Sequence, residues 1–447
     1  MKTTMIMLSL LTVSLAPMAL RSQPIHLQDS LALVKFYDST NGDNWNTHTN
    51  WKTSNPVSWW YGISLTGNRV TGITMMGNNV SGNLTSSFGN LDSLKYVSLI
   101  DNKIGGNIPT SIGNCSALRI LNLGANYLSG TIPSSLGMLT ALTNLDLYSN
   151  GLTGEIPSTL ANLAKLETAD FSNNQLSGNI PPFFENLNIY NFQVQGNRFD
   201  FKSMEQLVQG FNDNNILSYA PQANIVVNQQ DEKLSVSVHG SPANNTFKWY
   251  KAGTGLVASI IADSTYMPLS PGSYYAEVNN AIATLLTLRS DVVTAQSVLV
   301  PLCPVKATVS FTSDVTGPGY QWLESTDGIA FHNLVNNSNY NGINTATLNL
   351  VDIPSTFHGY KYKCVINGNS SAVFTIRFIN NWEEKGNAAW ESPANWSCGK
   401  LPDANTDVII KSGTVVIGQD VTIGSLKLSP GVSLTVNPGY TLTILRH

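Results

Sequence analysis

Asparagines recur at a nearly constant interval through the first half of this 447-residue chain, and this repeat restricts its fold more than any other feature. Six of them are spaced by 24, 24, 24, 24 and 23 residues: Asn78, Asn102, Asn126, Asn150, Asn174 and Asn197. Glycines and Ile-Pro pairs keep the same interval, for example Gly106 and Ile108-Pro109. Such an interval is typical of a solenoid, in which each coil stacks on the next and buries a continuous core.

Leucines within each copy follow the pattern LxxLxLxxNxL, as at Leu118, Leu121, Leu123 and Leu128. We expect the two leucines of LxL to point into the core from a short strand, and the asparagine to bond backbone groups of the turn that follows. With Ile-Pro at the back of each coil, the copies resemble plant-type leucine-rich repeats from about Val70 to Asn197. This resemblance implies parallel strands that form a concave sheet.

Both ends of the repeats carry residues that suit a cap. A helix is predicted over residues 31–37, and four of the nine tryptophans follow closely: Trp45, Trp51, Trp59 and Trp60. We favour their packing on the open end of the first coil, with an exposed aromatic platform for sugars as the alternative. The segment also resembles the cap that precedes bacterial plant-type repeats. After the repeats, the spacing of Met204, Leu207, Val208 and Phe211 predicts a closing helix, with Ser203 and Gln206 as a capping box.

From about Asn224 the apolar residues alternate with period two, which predicts strands. A tryptophan followed by a corner tyrosine occurs twice, first as Trp249 with Tyr274 and then as Trp322 with Tyr362. These patterns resemble two immunoglobulin-like β-sandwiches. In the second copy Cys364 lies two residues after the tyrosine, and the resemblance implies Cys303 as its disulfide partner. Because Cys303 precedes its expected strand by several residues, the Cys303–Cys364 bond stays open at this point.

A third pattern begins near Trp382, where Trp390 and Trp396 precede short strands from Asp407 to Ile444. It resembles the opening coils of a right-handed β-helix, which the tryptophans would cap, with sugar stacking as the alternative. The predicted fold class is therefore mainly β with short helices or 3-10 turns. The predicted segments are a signal peptide (1–22), a Trp-rich cap (23–69), leucine-rich repeats (70–199), a cap helix and linker (200–222), two immunoglobulin-like domains (223–296 and 297–380) and a C-terminal β module (381–447).

The N-terminus predicts export. Lys2 precedes an apolar run from Met5 to Leu15, which has the form of a secretory signal with cleavage at Ser22. A retained N-terminal anchor is the alternative. No later stretch reaches the roughly 18 apolar residues that a membrane span needs. We therefore expect a secreted or cell-surface protein without a later transmembrane segment.

Charge and motifs narrow the functional class. Charged residues make up 12% of the chain, the net charge is −4, and no Lys/Arg-rich stripe occurs, which disfavours nucleic acid as the partner. The sequence contains no HExxH, GxSxG, Walker A or GxGxxG motif, and the six histidines lie far apart. We therefore predict a non-enzymatic protein, with no cofactor and no metal site.

The exposed positions of the predicted concave sheet are the candidate ligand site. Residues two, four and six before each repeated asparagine should point outward, because the core leucines occupy the positions between them. The candidate residues are Tyr96, Asn122, Asn144, Asp146, Tyr148, Asp170, Asn191 and Gln193. Asp146 and Asp170 should lie about 5 Å apart on neighbouring strands, so one pKa should be raised and a cationic or hydroxyl-rich ligand would relieve the repulsion. A solvated face without a ligand is the alternative.

The modules together resemble secreted or surface proteins of Bacteroidota-like bacteria, which serve attachment or recognition. This resemblance implies a monomeric adhesion or recognition protein that binds a protein or peptide through the solenoid. Two alternatives stay open: a carbohydrate-binding adhesin that uses the tryptophan clusters, and a purely structural surface stalk.

Overall fold

The 24-residue repeat folds into stacked coils whose strands form two parallel sheets. The computed structural model describes residues 25–181, 189–211, 216–385 and 388–446, so the predicted signal peptide lies outside the described residues. The chain forms two units, the first ending at Phe199 and also holding Gln206–Ala220, the second holding Asp200–Glu205 and Pro221 onward. Each is described by itself.

The first unit begins with helix α1 (Leu27–Ser39) and continues as strands. These are β1 Ile63–Thr66, β2 Arg69–Thr74, β3 Ser81–Asn83, β4 Tyr96–Ser98, β5 Lys103–Gly106, β6 Ile120–Asn122, β7 Tyr127–Thr131, β8 Asn144–Asp146, β9 Gly151–Gly154, β10 Thr168–Asp170, β11 Gln175–Leu176, β12 Asn191–Gln193 and β13 Ile216–Ser218. One sheet has the order β1-β2-β4-β6-β8-β10-β12-β13, and a second has the order β11-β9-β7-β5-β3. The predicted solenoid is confirmed.

Four of the coils return from the second sheet through a 3-10 helix. In three coils the proline of Ile-Pro stands directly before that helix, where its restricted φ suits the first turn. The 3-10 helices span Ser86–Asn90, Thr110–Asn114, Ser134–Met138 and Ser158–Asn162. The core leucines of the LxL strands are fully buried, as predicted from the alternation of side chains along a strand.

The repeated asparagines turn inward, as predicted, and also connect successive coils. The side-chain amide of Asn102 donates to the carbonyls of Leu99 and Ile100 in its own coil and to Met75 in the preceding coil. Its Oδ1 accepts from the backbone N–H of Val80, also in the preceding coil. One buried side chain therefore satisfies the turn that leaves its own strand and holds the neighbouring coil in place.

The N-terminal tryptophans cover the first coil. Trp45, Trp51 and Trp60 are buried, and Phe36 of α1 packs against Trp45, Trp51 and Phe88 with ring centroids 5.5–6.2 Å apart. The interpretation of this cluster as a cap is supported by its burial. Trp59 alone of the four is largely exposed.

The predicted closing helix is observed as α2 (Phe201–Gly210), in which Met204 and Leu207 are buried. The predicted capping box of Ser203 and Gln206 is wrong. The helix begins two residues before Ser203, and the backbone N–H of Ser203 donates to Asp200 Oδ1 at 3.2 Å. Asp200 therefore satisfies the first turn instead.

The second unit consists of strands and short 3-10 helices. Its first strands are β14 Val227–Gln230, β15 Lys233–Val236, β16 Asn245–Lys251, β17 Gly255–Ile261, β18 Thr265–Tyr266, β19 Gly272–Asn280, β20 Thr287–Arg289 and β21 Val293–Ala295. They form one sheet of order β14-β15-β18 and one of order β17-β16-β19-β20, with β21 on β19. Trp249 is fully buried, and the Tyr274 hydroxyl donates to the Ser270 carbonyl at 2.6 Å.

The next strands are β22 Ser297–Leu302, β23 Ala307–Thr312, β24 Gln321–Ser325, β25 His332–Asn333, β26 Tyr340–Asn341, β27 Thr347–Ile353, β28 Lys361–Ile366, β29 Asn369–Ser370 and β30 Val373–Asn381. β23, β27 and β26 form a three-stranded sheet, while β25, β24, β28 and β30 belong to a larger one that β22 and β29 also join. The assignment of both regions as immunoglobulin-like domains stays a prediction.

The last strands form two stacked coils of three strands each: β31 Asp407–Ile410, β32 Thr414–Ile417, β33 Val421–Ile423, β34 Ser425–Leu428, β35 Ser433–Val436 and β36 Leu442–Ile444. β31 pairs with β34, β32 with β35 and β33 with β36, all in parallel, and β30 pairs with β31. Trp382, Trp390 and Trp396 are buried against the apolar interior of these coils.

The predicted Cys303–Cys364 disulfide is wrong, because Cys303 is bonded to Cys398, with their Cα atoms 5.5 Å apart. β22 runs parallel to β30 with Leu302 opposite Phe378, so Cys303 arrives beside Ile379. The carbonyl of Ile379 lies 3.4 Å from Cys398 Sγ. Cys364 is instead buried on β28 opposite Trp322, and its thiol is free.

Candidate ligand-binding face

The exposed side chains of β2, β4, β6, β8, β10 and β12, together with the residues two positions after the ends of these strands, form the surface we call the strand face. Parallel pairing without a register shift places equivalent positions of successive coils side by side. The middle column reads Thr74, Ser98, Asn122, Asp146, Asp170 and Gln193. The column before it contains Tyr96, Asn144 and Asn191. The candidate residues therefore share one surface, while their role in binding stays a prediction.

Asp146 and Asp170 are direct neighbours in this register, on strands that pack about 4.8 Å apart. Asn122 donates from Nδ2 to Asp146 Oδ2 at 2.9 Å, and Asp170 Oδ1 accepts from the backbone N–H of Ser172 at 2.9 Å. Partial burial, followed by the charge of Asp170, raises the pKa of Asp146 to about 6. The pair therefore favours a proton or another cation between its carboxylates.

Two tyrosines lie against the strand face because the preceding coil has glycine beneath each ring. A Cβ on Gly72 would lie 2.1 Å from Tyr96 Cζ, and a Cβ on Gly124 would lie 2.3 Å from Tyr148 Cε1. Burial, then the charges of Asp146 and other carboxylates, raises the pKa of Tyr148, which places this phenol within the field of the acidic pair. The role of the two glycines was missed from the sequence, although Gly124 interrupts a column of larger side chains.

The amide groups of the strand face mostly bond one another. Asn144 donates to Thr168 Oγ1 at 2.8 Å, Gln193 donates to Asn191 Oδ1 at 3.3 Å, and Gln195 donates to Gln193 Oε1 at 3.1 Å. In the described part of the chain, Gln195 Oε1 is buried and accepts no hydrogen bond. A buried acceptor without a donor is costly, so this edge of the face is less well satisfied than the rest.

The other end of the strand face is apolar. Met76 and Ile120 are 57% and 41% exposed, and Ile100 is partly exposed beside them. The face therefore grades from apolar side chains near the first coils to carboxylates and amides near the last coils. A ligand that covers it would need both kinds of group.

Trp390 and Trp396 of the C-terminal cluster do not provide a sugar platform. Trp390 and Trp396 are each 1% exposed, and the Trp396 indole N–H donates to the Trp390 carbonyl at 2.9 Å. A ring that stacks on a sugar must offer one face to solvent. These two rings therefore support the interpretation as a cap.

In the described ranges, no group of three or more His, Cys, Asp or Glu side chains has the geometry to hold a metal ion. The two α-helices of the same ranges have 13 and 10 residues and fall short of a membrane span.

Solved structures that are similar to part of this chain include plant receptor ectodomains. The ectodomain of the receptor kinase SOBIR1 from Arabidopsis thaliana is 27% identical over 44% of this chain and 99% of its own, with a TM-score of 0.35. The GASSHO1/SCHENGEN3 ectodomain from the same plant, in complex with CASPARIAN STRIP INTEGRITY FACTOR 2, is 28% identical over 43% of this chain and 24% of its own, with a TM-score of 0.40. The HAESA ectodomain from Arabidopsis, in complex with an IDA peptide hormone, is 26% identical over 44% of this chain and 34% of its own, with a TM-score of 0.39.

This chain thus spans about a third or less of the GASSHO1/SCHENGEN3 and HAESA ectodomains. A search of curated proteins gives no match. A family model described as Leucine Rich Repeat matches four successive stretches, residues 93–115, 117–139, 141–163 and 165–187, and no enzyme family is indicated. The first half of the chain therefore contains leucine-rich repeats, in agreement with the prediction from the 24-residue spacing.

Proposed function

We propose that this protein is a secreted or cell-surface recognition protein, without catalytic activity, that binds a protein or peptide on its strand face. One observation carries the proposal: Asp146 and Asp170 lie side by side, partly buried, and the pKa of Asp146 is raised to about 6. Two such carboxylates repel each other in the free protein. A ligand that brings a positive charge removes this repulsion and gains binding energy.

The chemistry of the neighbouring groups favours a lysine or arginine side chain of a peptide as that charge. Tyr148 offers an aromatic ring within the field of both carboxylates, and cations bind favourably over such rings. The peptide backbone would meet Asn144, Asn191 and Gln195, whose amides donate and accept. Nonpolar peptide side chains would lie toward Met76 and Ile120. This arrangement suits an extended peptide that crosses several coils.

Panning of phage-displayed random peptides on the whole protein tests the proposal. The native chain should enrich peptides that contain lysine or arginine. A higher salt concentration should weaken their binding because the contact is partly exposed. The double substitution Asp146→Lys with Asp170→Lys should abolish this enrichment. Glu155→Lys is the matched control, since it reverses an exposed carboxylate that follows β9 of the other sheet. Enrichment that survives the double substitution would contradict the proposal.

The remaining modules have supporting roles in this proposal. The two regions that resemble immunoglobulin-like domains, and the C-terminal coils, would act as spacers that present the solenoid outside the cell. A purely structural stalk is the competing function, and it predicts that no peptide is enriched over an empty surface. A carbohydrate adhesin would need a surface other than Trp390 and Trp396, because both rings are buried.

A further inference from the structure

The second unit contains a cavity of about 530 Å³ that is separate from the strand face. One wall is formed by three parallel strands, β30, β31 and β34, whose register aligns Ile379 with Asp407 and Ser425. Because side chains alternate along a strand, Arg377, Ile409 and Lys427 fall on the same side as these residues. The cavity volume lies within the range of small-molecule sites.

The other wall consists of the turn between β14 and β15, with Met267 and Leu299 beside it. Glu232 of this turn is already satisfied. It accepts from Thr375 Oγ1 at 2.5 Å and lies 3.5 Å from Lys361 Nζ. Although burial opposes ionisation of Glu232, these partners hold its pKa below the usual value. Glu232 therefore closes one side of the cavity as a paired carboxylate.

Asp407 is the acceptor at the centre of a second polar cluster. It receives Ser425 Oγ at 2.6 Å and Arg446 Nη2 at 3.2 Å. His358 Nε2 lies 3.4 Å from its Oδ2. The Phe378 backbone N–H donates to His358 Nδ1, so the neutral ring carries its proton on Nε2, directed at Asp407. Burial lowers the pKa of His358 to about 4, which keeps the ring neutral at physiological pH.

Arg377 makes few hydrogen bonds within this cluster. Its Nη1 lies 3.3 Å from His358 Nε2 and 3.5 Å from Asp407 Oδ2, an oxygen that His358 also approaches. Across the described residues, Nε and Nη2 of Arg377 donate no hydrogen bond, and the side chain is 34% exposed. A guanidinium with two parallel N–H donors matches a carboxylate. Lys427 adds a second positive charge on the same wall, 3.3 Å from Asp263.

We propose that this cavity binds an organic monocarboxylate with a nonpolar body, and that Arg377 holds its carboxylate. The body would lie against the nonpolar side chains of Met267, Leu299, Ile379 and Ile409. Arg377 supplies the charge and direction, while these side chains supply a surface that excludes water. The proposal concerns a different surface from the peptide proposal, so either can fail without the other.

Isothermal titration calorimetry with three probes tests the ligand class on the whole, oxidised protein. Octanoate has both the carboxylate and the nonpolar body, acetate lacks the body, and octylamine carries the opposite charge. We expect octanoate to bind at least about tenfold more tightly than acetate, because the body buries nonpolar surface. Octylamine should show no binding. Absence of octanoate binding, or equal binding of octylamine, would overturn the proposal.

Substitutions test the role of Arg377. Arg377→Gln should weaken octanoate binding at least about tenfold, since a charge-assisted hydrogen-bonded pair is lost. Arg289→Gln is the control, because Arg289 lies over the Tyr275 ring at 4.4 Å and is not part of the cavity. Ile409→Glu is a second variant that leaves the Asp407 cluster intact and puts a negative charge in the cavity. It should abolish octanoate binding, and unchanged binding in this variant or in a folded Arg377→Gln protein would refute the proposal.

Discussion

The solenoid and the C-terminal coils both stack short parallel strands, yet successive coils are held together in different ways. In the solenoid, Asn126 donates to the carbonyl of Leu99 in the preceding coil and to Leu123 and Gly124 in its own. In the C-terminal coils, backbone ladders and nonpolar residues such as Val408 join the layers. Side chains also bond across these coils, as Ser425 Oγ does to Asp407, but the described residues show no repeated asparagine ladder there. Both regions begin with a cluster of buried tryptophans that covers the first coil.

The two regions also differ in the constancy of their spacing. Equivalent strand positions of the solenoid lie 24 residues apart in most coils, as from Ser98 to Asn122. In the C-terminal coils the three paired strands are offset by 18, 19 and 21 residues, as from Asp407 to Ser425. A side chain that must reach several backbone groups requires an exact coil length, whereas nonpolar packing accepts turns of different lengths. Regular spacing is therefore a sign of side-chain hydrogen bonding between coils.

The largest effect is expected from removal of one asparagine of the ladder. Asn126→Ala should lower the free energy of unfolding of the solenoid by about 4 kcal/mol, because buried carbonyls and the Ile104 N–H lose their partner. Urea unfolding followed by circular dichroism measures it. The control is Asn107→Ala, an exposed asparagine in an adjacent segment, which should change the stability by less than about 0.5 kcal/mol. Equal losses in both variants would remove the distinction between the two regions.

A smaller effect is expected for the tryptophan cap of the C-terminal coils. Trp396→Ala removes a fully buried ring that contacts Trp382 and Trp390, with ring centroids 5.1 and 4.6 Å away. It should cost about 3 kcal/mol in the unfolding of the second unit and leave the solenoid transition unchanged. Trp59→Ala, at an exposed ring of the other cluster, is the control and should be nearly neutral. A loss of stability in Trp59→Ala but not in Trp396→Ala would contradict the interpretation of both clusters as caps.

The smallest effect concerns pH and belongs to the solenoid alone. The folded-state pKa of Asp146 is raised from 3.8 to about 6, so the folded protein binds more protons than the unfolded chain between these values. Its stability should therefore fall as the pH rises from about 4 to about 6. At neutral pH, Asp146→Asn should raise the free energy of unfolding by about 1 kcal/mol after allowance for solvent screening, because the substitution removes the ionised carboxylate. Glu155→Gln, at an exposed carboxylate, should leave the pH profile as it is.

Much of the solenoid and of its candidate site could be predicted from the sequence. A constant interval stacks equivalent residues in register, so the neighbourhood of Asp146 and Asp170 follows from counting alone. The positions on which the rings of Tyr96 and Tyr148 pack could not be predicted in the same way. The role of Gly72 and Gly124 depends on which direction each ring leans, and that is decided by packing between coils.

The helix cap and the disulfide partner were predicted wrongly for a common reason. In each case two candidate residues fit the local sequence pattern equally well. Asp200 and Ser203 are both suitable helix N-caps, and the residue at which the helix begins decides between them. The partner of Cys303 depends on the parallel pairing of β22 with β30, which joins segments more than seventy residues apart. No local spacing marks such a pairing, so the family resemblance pointed to Cys364.

The Cys303–Cys398 bond has a mechanical consequence. The two cysteines are separated by 95 residues, and the sulfur bridge joins them directly. A pull applied before Cys303 and after Cys398 is carried by this covalent bond and bypasses every strand from β23 to β30. About 320 Å of extended chain is thereby withheld from stretching. Until a reductant opens the bridge, these strands bear none of the load.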